Sequence, residues 1–112
     1  MPKPSDQTKE LFTAVVSRQE DAEVKAMFGN LGGFVNGNMF CGLFGDDLGV
    51  RLDDANRATL IAAGGDDFGP EDRPMKQYAA VPRPWLSVND PNLSEWLTIA
   101  YDYVSQMPPK VK

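Results

Sequence analysis

The sequence contains no histidine and only one cysteine, Cys41, among its 112 residues. The lack of histidine removes the commonest general base near neutral pH and the usual nitrogen ligand of zinc and iron sites. A lone cysteine forms no disulfide within the chain, and the apolar surroundings of Cys41 predict a small core side chain rather than a nucleophile. We therefore expect a protein that is not an enzyme, with no catalytic residue, no metal site and no cofactor.

Long apolar runs and clusters of positive charge are also missing. No run approaches the roughly 18 apolar residues that a membrane span needs, and the polar start, MPKPSDQTKE, has no apolar signal-peptide core. The net charge is −5, and the longest basic cluster is residues 110–112. Because nucleic-acid binders normally carry a basic face, we expect a cytoplasmic protein with no membrane contact and no tight binding to generic duplex DNA.

What the sequence does contain is enough apolar material for one core. Apolar residues make up 42% of the chain and aromatic residues 10%, which predicts one folded domain over residues 1–112. Residues 1–4 and 109–112 are predicted to be flexible ends.

Turn residues at short intervals between Met27 and Leu52 predict consecutive β-hairpins. The predicted strands cover residues 24–28, 31–36, 39–44, 48–52 and 75–81. Prolines flank the last of these at positions 74 and 82, which favours an edge position in the sheet.

The register of the second hairpin has two readings. A turn at Asn36–Gly37 pairs Phe34 with Met39, whereas a turn one residue later pairs Val35 with Phe40. We favour the second register, because it places four apolar side chains on one face, and a slip of one residue would reverse that face. These side chains are Leu31, Val35, Phe40 and Phe44.

Three helices are predicted from capping residues and apolar spacing. The first begins at Ser5 or Asp6 and runs to about Arg18. The second is capped by Asp53 or Asp54 and ends at Ala63, before a glycine pair. The third begins at Asp90 and ends before Pro108. The fold class is therefore α+β, an antiparallel β-meander of about five strands flanked by three helices.

The other charged and glycine-rich motifs favour structural roles. The acidic pairs lack the alternating spacing of a calcium loop, and the glycines precede strands rather than a helix N-terminus. One anion-binding alternative stays open, in which Arg73 and Tyr78 bind a carboxylate or phosphate.

The order of several short motifs resembles the N-terminal domain of the TfoX/Sxy family, which is named for regulators of bacterial competence. The motifs include Met27-Phe28-Gly29, a glycine pair before Phe34 and the segment Arg73-Pro74-Met75. The resemblance implies a non-enzymatic regulatory or protein-interaction module. The resemblance further implies that full-length competence regulators work with the cyclic-AMP receptor protein at competence promoters and carry a second, C-terminal domain. The motif positions carried over as candidate binding residues are Met27, Phe28, Gly29, Gly37, Phe40, Arg73, Pro74, Met75 and Tyr78.

We also expect a homodimer, and a protein partner is compatible with the same reasoning. The strand at 39–44 is apolar on both faces, and three helices of modest apolar width leave coverage of the second face in doubt. Ile99 and Tyr103 lie off the main apolar stripe of the last helix and are the interface candidates. The alternative is that Phe68, Trp85 and the long connectors cover the second face within one copy.

Overall fold

A computed structural model of the chain describes residues 3–27 and 30–109, apart from the side chain of Met27. It contains three helices, α1 (Asp6–Val16), α2 (Asp54–Ala62) and α3 (Pro91–Ser105). The strands are β1 (Glu23–Met27), β2 (Asn30–Val35), β3 (Asn38–Phe44), β4 (Asp47–Arg51), β5 (Asp66–Asp67) and β6 (Tyr78–Ala80). A single 3-10 turn at Arg83–Trp85 precedes α3. Within the described ranges, no helix is both long enough and apolar enough to cross a membrane.

The strands form one antiparallel sheet in the order β1-β2-β3-β4-β6-β5, with the three helices packed beside it. The α+β fold class is therefore confirmed. The edge position predicted for the segment 75–81 is wrong, because β6 pairs with β4 on one side and with β5 on the other. Pro74 and Pro82 lie outside the short strand Tyr78–Ala80, so they remove no hydrogen bond from its ladder.

The helix starts agree with the predicted caps. The Ser5 hydroxyl accepts a hydrogen bond from the Thr8 N–H, and the Asp53 carboxylate accepts one from the Asn56 N–H. Asp90 caps α3 by accepting from the N–H groups of both Asn92 and Leu93. Each cap satisfies donors that the first helical turn cannot pair internally, so these positions fix where the helices begin.

All three helices contribute to one core on the same face of the sheet. Side chains from α1, α2 and α3 pack there with side chains from β2, β3 and β4. The largest fully buried members are Phe12, Phe40, Leu48, Leu60, Leu93 and Leu97. We call this the helix face of the sheet, and the opposite side the second face.

The favoured register of the β2–β3 hairpin is wrong. The turn is Asn36–Gly37, with φ of 53° and 77°, and Phe34 pairs with Met39. A two-residue hairpin turn of this kind needs positive φ at both positions, which asparagine followed by glycine accepts most readily.

A β-bulge explains how this register still places Phe40 in the core. Gly33 pairs with Cys41 and the next residue, Phe34, pairs with Met39, so Phe40 is the extra residue of β3. Phe40 and Cys41 both belong to the core on the helix face. Of the four side chains predicted to share one face, Leu31, Val35 and Phe40 do so, whereas Phe44 packs on the second face.

Candidate functional site on the second sheet face

The second face carries a small aromatic cluster formed by Phe68, Tyr78 and Ala80, against which Met39, Phe44 and Met75 pack. The Phe68 ring lies 5.9 Å from the Tyr78 ring and 6.5 Å from the Phe44 ring, measured between centroids. It rests directly on Gly49, where a Cβ atom would come within 2.3 Å of Phe68 Cγ. The glycine therefore makes room for the ring, and the loop after β5 covers this part of the second face.

Tyr78 connects three strands through this cluster. Its hydroxyl donates a hydrogen bond of 3.2 Å to the Met39 carbonyl of β3, although Tyr78 itself lies in β6. Burial raises the pKa of Tyr78 to about 12, and the guanidinium of Arg51 offsets part of that rise. The phenol is thus protonated at neutral pH and acts as a donor that holds strands together.

Arg51 is the cation that lowers the pKa of Tyr78. The two residues are register partners on β4 and β6. Arg51 is half-buried, and its Nε atom is buried without a hydrogen-bond partner among the described residues. A buried guanidinium donor is normally paired, either with a protein acceptor or with an ordered water.

The predicted segment Arg73-Pro74-Met75 closes the loop that carries Phe68. The Met75 N–H donates to the Phe68 carbonyl at 2.8 Å, and the Arg73 N–H donates to the Pro70 carbonyl at 3.1 Å. Met75 is half-buried in the aromatic cluster, whereas Arg73 and Pro74 are exposed. Arg73 is not among the groups that act on the pKa of Tyr78.

The remaining motif positions lie elsewhere in the fold. Met27 ends β1, where it pairs with Asn30, and Phe28 and Gly29 lie outside the described residues. Gly37 supplies the positive φ of the β2–β3 turn. Phe40 is the fully buried bulge residue, with its ring 5.6 Å from that of Tyr101.

Cys41 is fully buried on the helix face and is a free thiol. Burial raises its pKa far above the ordinary value, and the hydrogen bond from the Gly33 N–H offsets only part of this. The thiol is therefore protonated at neutral pH and has little nucleophilic character.

Ile99 and Tyr103 of α3 are both half-buried and pack against the main core. The covering of the second face comes from Phe68 and Met75, while Trp85 packs against the main core on the other side. Of the residues proposed to cover the second face within one copy, Phe68 does so and Trp85 does not.

The described part of the chain has several open grooves, and one of them is lined in part by Ala80 of this cluster. Another groove has a volume of ≈ 540 Å³ and runs between α1 and the connector at Leu86–Val88. Val88 in this connector is 39% exposed. Among the described residues, no three acidic or cysteine side chains are grouped to hold a metal ion.

Comparison with known protein families identifies the family to which the chain belongs. The family model described as TfoX N-terminal domain matches residues 14–103 of the 112-residue chain. The chain belongs to the TfoX N-terminal domain family. No curated protein matches the chain in a sequence search. The matched range spans every strand of this TfoX N-terminal domain, together with the whole of α2 and most of α3.

The candidate site residues predicted from the sequence of this TfoX N-terminal domain include neither Arg51 nor Gly49, although both lie on the second face. Alternation along β4 already separates them from Leu48, Val50 and Leu52, which all lie in the main core. That alternation signals their side of the sheet. Nothing in the sequence signals that Phe68 is the ring that lies on Gly49, because the two are joined only through tertiary structure.

Proposed function

We propose that this domain is a non-enzymatic regulatory module, working in the cytoplasm through protein contacts, as the competence-regulator domains that it resembles are expected to do. The observation that carries the proposal is the state of two side chains with nucleophilic or acid–base potential, Cys41 and Tyr78. Cys41 is fully buried with a raised pKa, and the Tyr78 hydroxyl is committed to the Met39 carbonyl. Both side chains stabilise the sheet rather than face a substrate.

The charge of the chain supports contact with protein rather than with generic DNA. A domain of net charge −5 can release few counterions from a duplex, so we expect no tight binding to generic DNA at physiological salt. Any role at a promoter would then be exerted through a protein partner.

The proposal is tested by complementation in cells that lack the chain. Transcript and metabolite profiles are compared for cells that express the wild type, Cys41→Ala or Tyr78→Phe, with folded protein levels matched by immunoblot. We expect that cells without the chain show altered transcript levels and that all three proteins restore these levels, because neither side chain performs chemistry. If a folded Cys41→Ala or Tyr78→Phe protein does not complement the cells while the wild type does, and one metabolite accumulates, the chain is an enzyme instead.

Binding of a small anion is a second candidate function, and Arg51 is the observation that favours it. Its buried Nε donor lacks a partner among the described residues, and the Tyr78 ring lies beside it in the register. A phosphate or carboxylate oxygen is the acceptor that suits such a donor.

Inorganic phosphate and acetate serve as probes for this second function. The Nε–H signals of the arginines are followed by NMR during the titration, with Arg51→Lys as the test variant. Arg73→Lys is the matched control, because Arg73 is exposed on the neighbouring loop. A saturable shift at Arg51 that Arg73→Lys preserves supports the site. A shift that disappears only with Arg73→Lys assigns binding to the pair predicted from the sequence, Arg73 and Tyr78.

A further inference from the structure

The strand β1 forms one end of the sheet and has a long open edge. It pairs with β2 over its whole length, Glu23–Met27, and has no strand on its other side among the described residues. The opposite end of the sheet is the two-residue strand β5. An exposed edge of five residues offers unpaired backbone groups to another strand.

The direction of these backbone groups follows from the neighbouring strand. Val35 and Asn38 flank the two-residue turn of the β2–β3 hairpin, so their backbone groups point toward each other. By alternation along β2, the N–H and C=O of Gly33 also point toward β3. Gly33 is the register partner of Val24. In an antiparallel pair the two partners point their backbone groups either toward each other or away from each other. The N–H and C=O of Val24 therefore point outward, and by alternation those of Ala26 do as well.

The charges on β1 have a spacing that suits a second copy of the same strand. Glu23 and Lys25 lie on the second face, with side chains 71% and 45% exposed. Their charged atoms are 3.6 Å apart, and Lys25 Nζ lies 5.2 Å from the centre of the Phe34 ring. When two antiparallel copies are centred on Val24, Glu23 of each copy stands opposite Lys25 of the other. Two ion pairs across the strands follow from the two-fold symmetry.

We propose that β1 pairs with β1 of a second copy of this chain, antiparallel and centred on Val24, so that two six-stranded sheets become continuous. Val24 of each copy exchanges both backbone hydrogen bonds with Val24 of the other. In this register Ala26 of each copy stands opposite Ala22 of the other copy, so the Ala26 N–H can donate to the Ala22 carbonyl. The reverse bond does not form, because the Ala22 N–H already donates to the Gln19 carbonyl of its own chain. This inference goes beyond the proposed regulatory function and does not depend on it.

The charge pattern distinguishes this register from its neighbours. A pairing centred on Lys25 places two lysines opposite each other, which is unfavourable. A pairing centred on Ala26 places Lys25 opposite Met27 and forms no ion pair. The two-fold axis is perpendicular to the sheet in each case, so the helices of both copies stay on the same face.

The test of backbone pairing uses proline at two adjacent positions of β1. Val24→Pro removes an outward N–H and blocks the open edge, while the hydrogen bonds between β1 and β2 remain. Lys25→Pro is the matched control, because its N–H points inward to β2 and its loss should lower the melting temperature of the monomer. Sedimentation equilibrium from about 10 µM to about 1 mM suits an interface at the small end of the usual size range. We expect the wild type to dimerise and Val24→Pro to be a folded monomer.

The test of register uses reversal of charge. Glu23→Lys and Lys25→Glu each replace both ion pairs by like charges, and we expect each to weaken dimerisation roughly tenfold or more. An equimolar mixture of these two variants should form heterodimers, because opposite charges then face each other again. The double variant with both changes should dimerise as the wild type does. A dimer centred on Lys25 would be insensitive to Glu23→Lys.

Two results would overturn the proposal. The first is a wild-type chain that stays at 12.3 kDa over the whole concentration range. The second is a dimer that folded Val24→Pro leaves intact, and if Tyr103→Glu dissociates that dimer, the interface lies on α3. Failure in either of these leaves the complementation test of the regulatory function unaffected.

Discussion

Replacing Gly49 by alanine should expel the Phe68 ring from the second face. An added Cβ would lie 2.3 to 2.5 Å from three atoms of that ring, Cγ, Cδ1 and Cδ2. Real Cβ atoms do not approach a neighbour so closely, and neither β4 nor the ring can move without losing contacts. Phe68 is 2% exposed, whereas Met75, the other apolar side chain that the loop after β5 places in the cluster, is half-buried.

The expected loss in the free energy of unfolding caused by Gly49→Ala lies between two limits. Overpacking of a buried site costs about 1–3 kcal/mol when the surroundings yield. Complete loss of the ring, as in Phe68→Ala, costs about 3–5 kcal/mol. We therefore expect about 3 kcal/mol of destabilisation, which lowers the melting temperature of a domain of this size by roughly 12 °C.

A double-mutant cycle measured by urea unfolding tests the mechanism. In the Phe68→Ala background the added methyl group meets no ring, so Gly49→Ala should then cost almost nothing. Gly42→Ala is the control on the adjacent strand, because its Cβ would lie 3.5 Å from the Met39 sulfur, an ordinary contact. Additive costs in the cycle, or equal costs for Gly42→Ala and Gly49→Ala, would refute the close approach of Phe68.

Three further predictions concern polar groups and the thiol. In native protein Cys41 should react with a thiol reagent only through unfolding, because burial raises its pKa; a fast reaction without urea would contradict this. Tyr78→Phe should lower the free energy of unfolding by about 1 kcal/mol by removing the hydrogen bond to Met39, and unchanged urea midpoints would refute it. Hydrogen bonds from the Ser5 N–H and the Thr8 hydroxyl lower the pKa of Asp46 below 3.8. The stability that Asp46 contributes is therefore present above that pH and is lost as the pH falls through the lowered pKa. Urea midpoints of Asp46→Asn should fall less steeply than those of the wild type in that acidic window.

The sequence was sufficient for the parts of the fold that depend on local chemistry. Capping side chains fixed the starts of the helices, and the pair Gly64–Gly65 ended α2, where the Gly65 N–H donates to the Leu60 carbonyl. The alternation of apolar residues along β4 agrees with its two faces, since Leu48 and Val50 lie in the main core. In each case the signal and the structure that it predicts lie within a few residues of each other.

The β2–β3 register was mispredicted because two valid signals conflicted. The Asn36–Gly37 turn favours pairing Phe34 with Met39, whereas the apolar pattern requires Phe40 in the core. The structure satisfies both by inserting a bulge at Phe40. A bulge leaves no distinct composition in a single sequence, so the two signals read from the sequence alone remain alternatives.

The glycines within the strands show most clearly what a single sequence does and does not reveal. A glycine in a strand indicates that some group approaches the backbone closely. At Gly33 that group comes from the helix face, where an added Cβ would lie 2.6 Å from Cys41 Sγ and 3.1 Å from Val16 Cγ1. At Gly49 it comes from the second face and is a phenylalanine from a loop. A glycine in the strand sequence thus indicates that space is needed at that position, but the tertiary fold determines which side chain fills the space. A candidate site on the second face therefore becomes visible only when Phe68, Tyr78 and Arg51 are seen together.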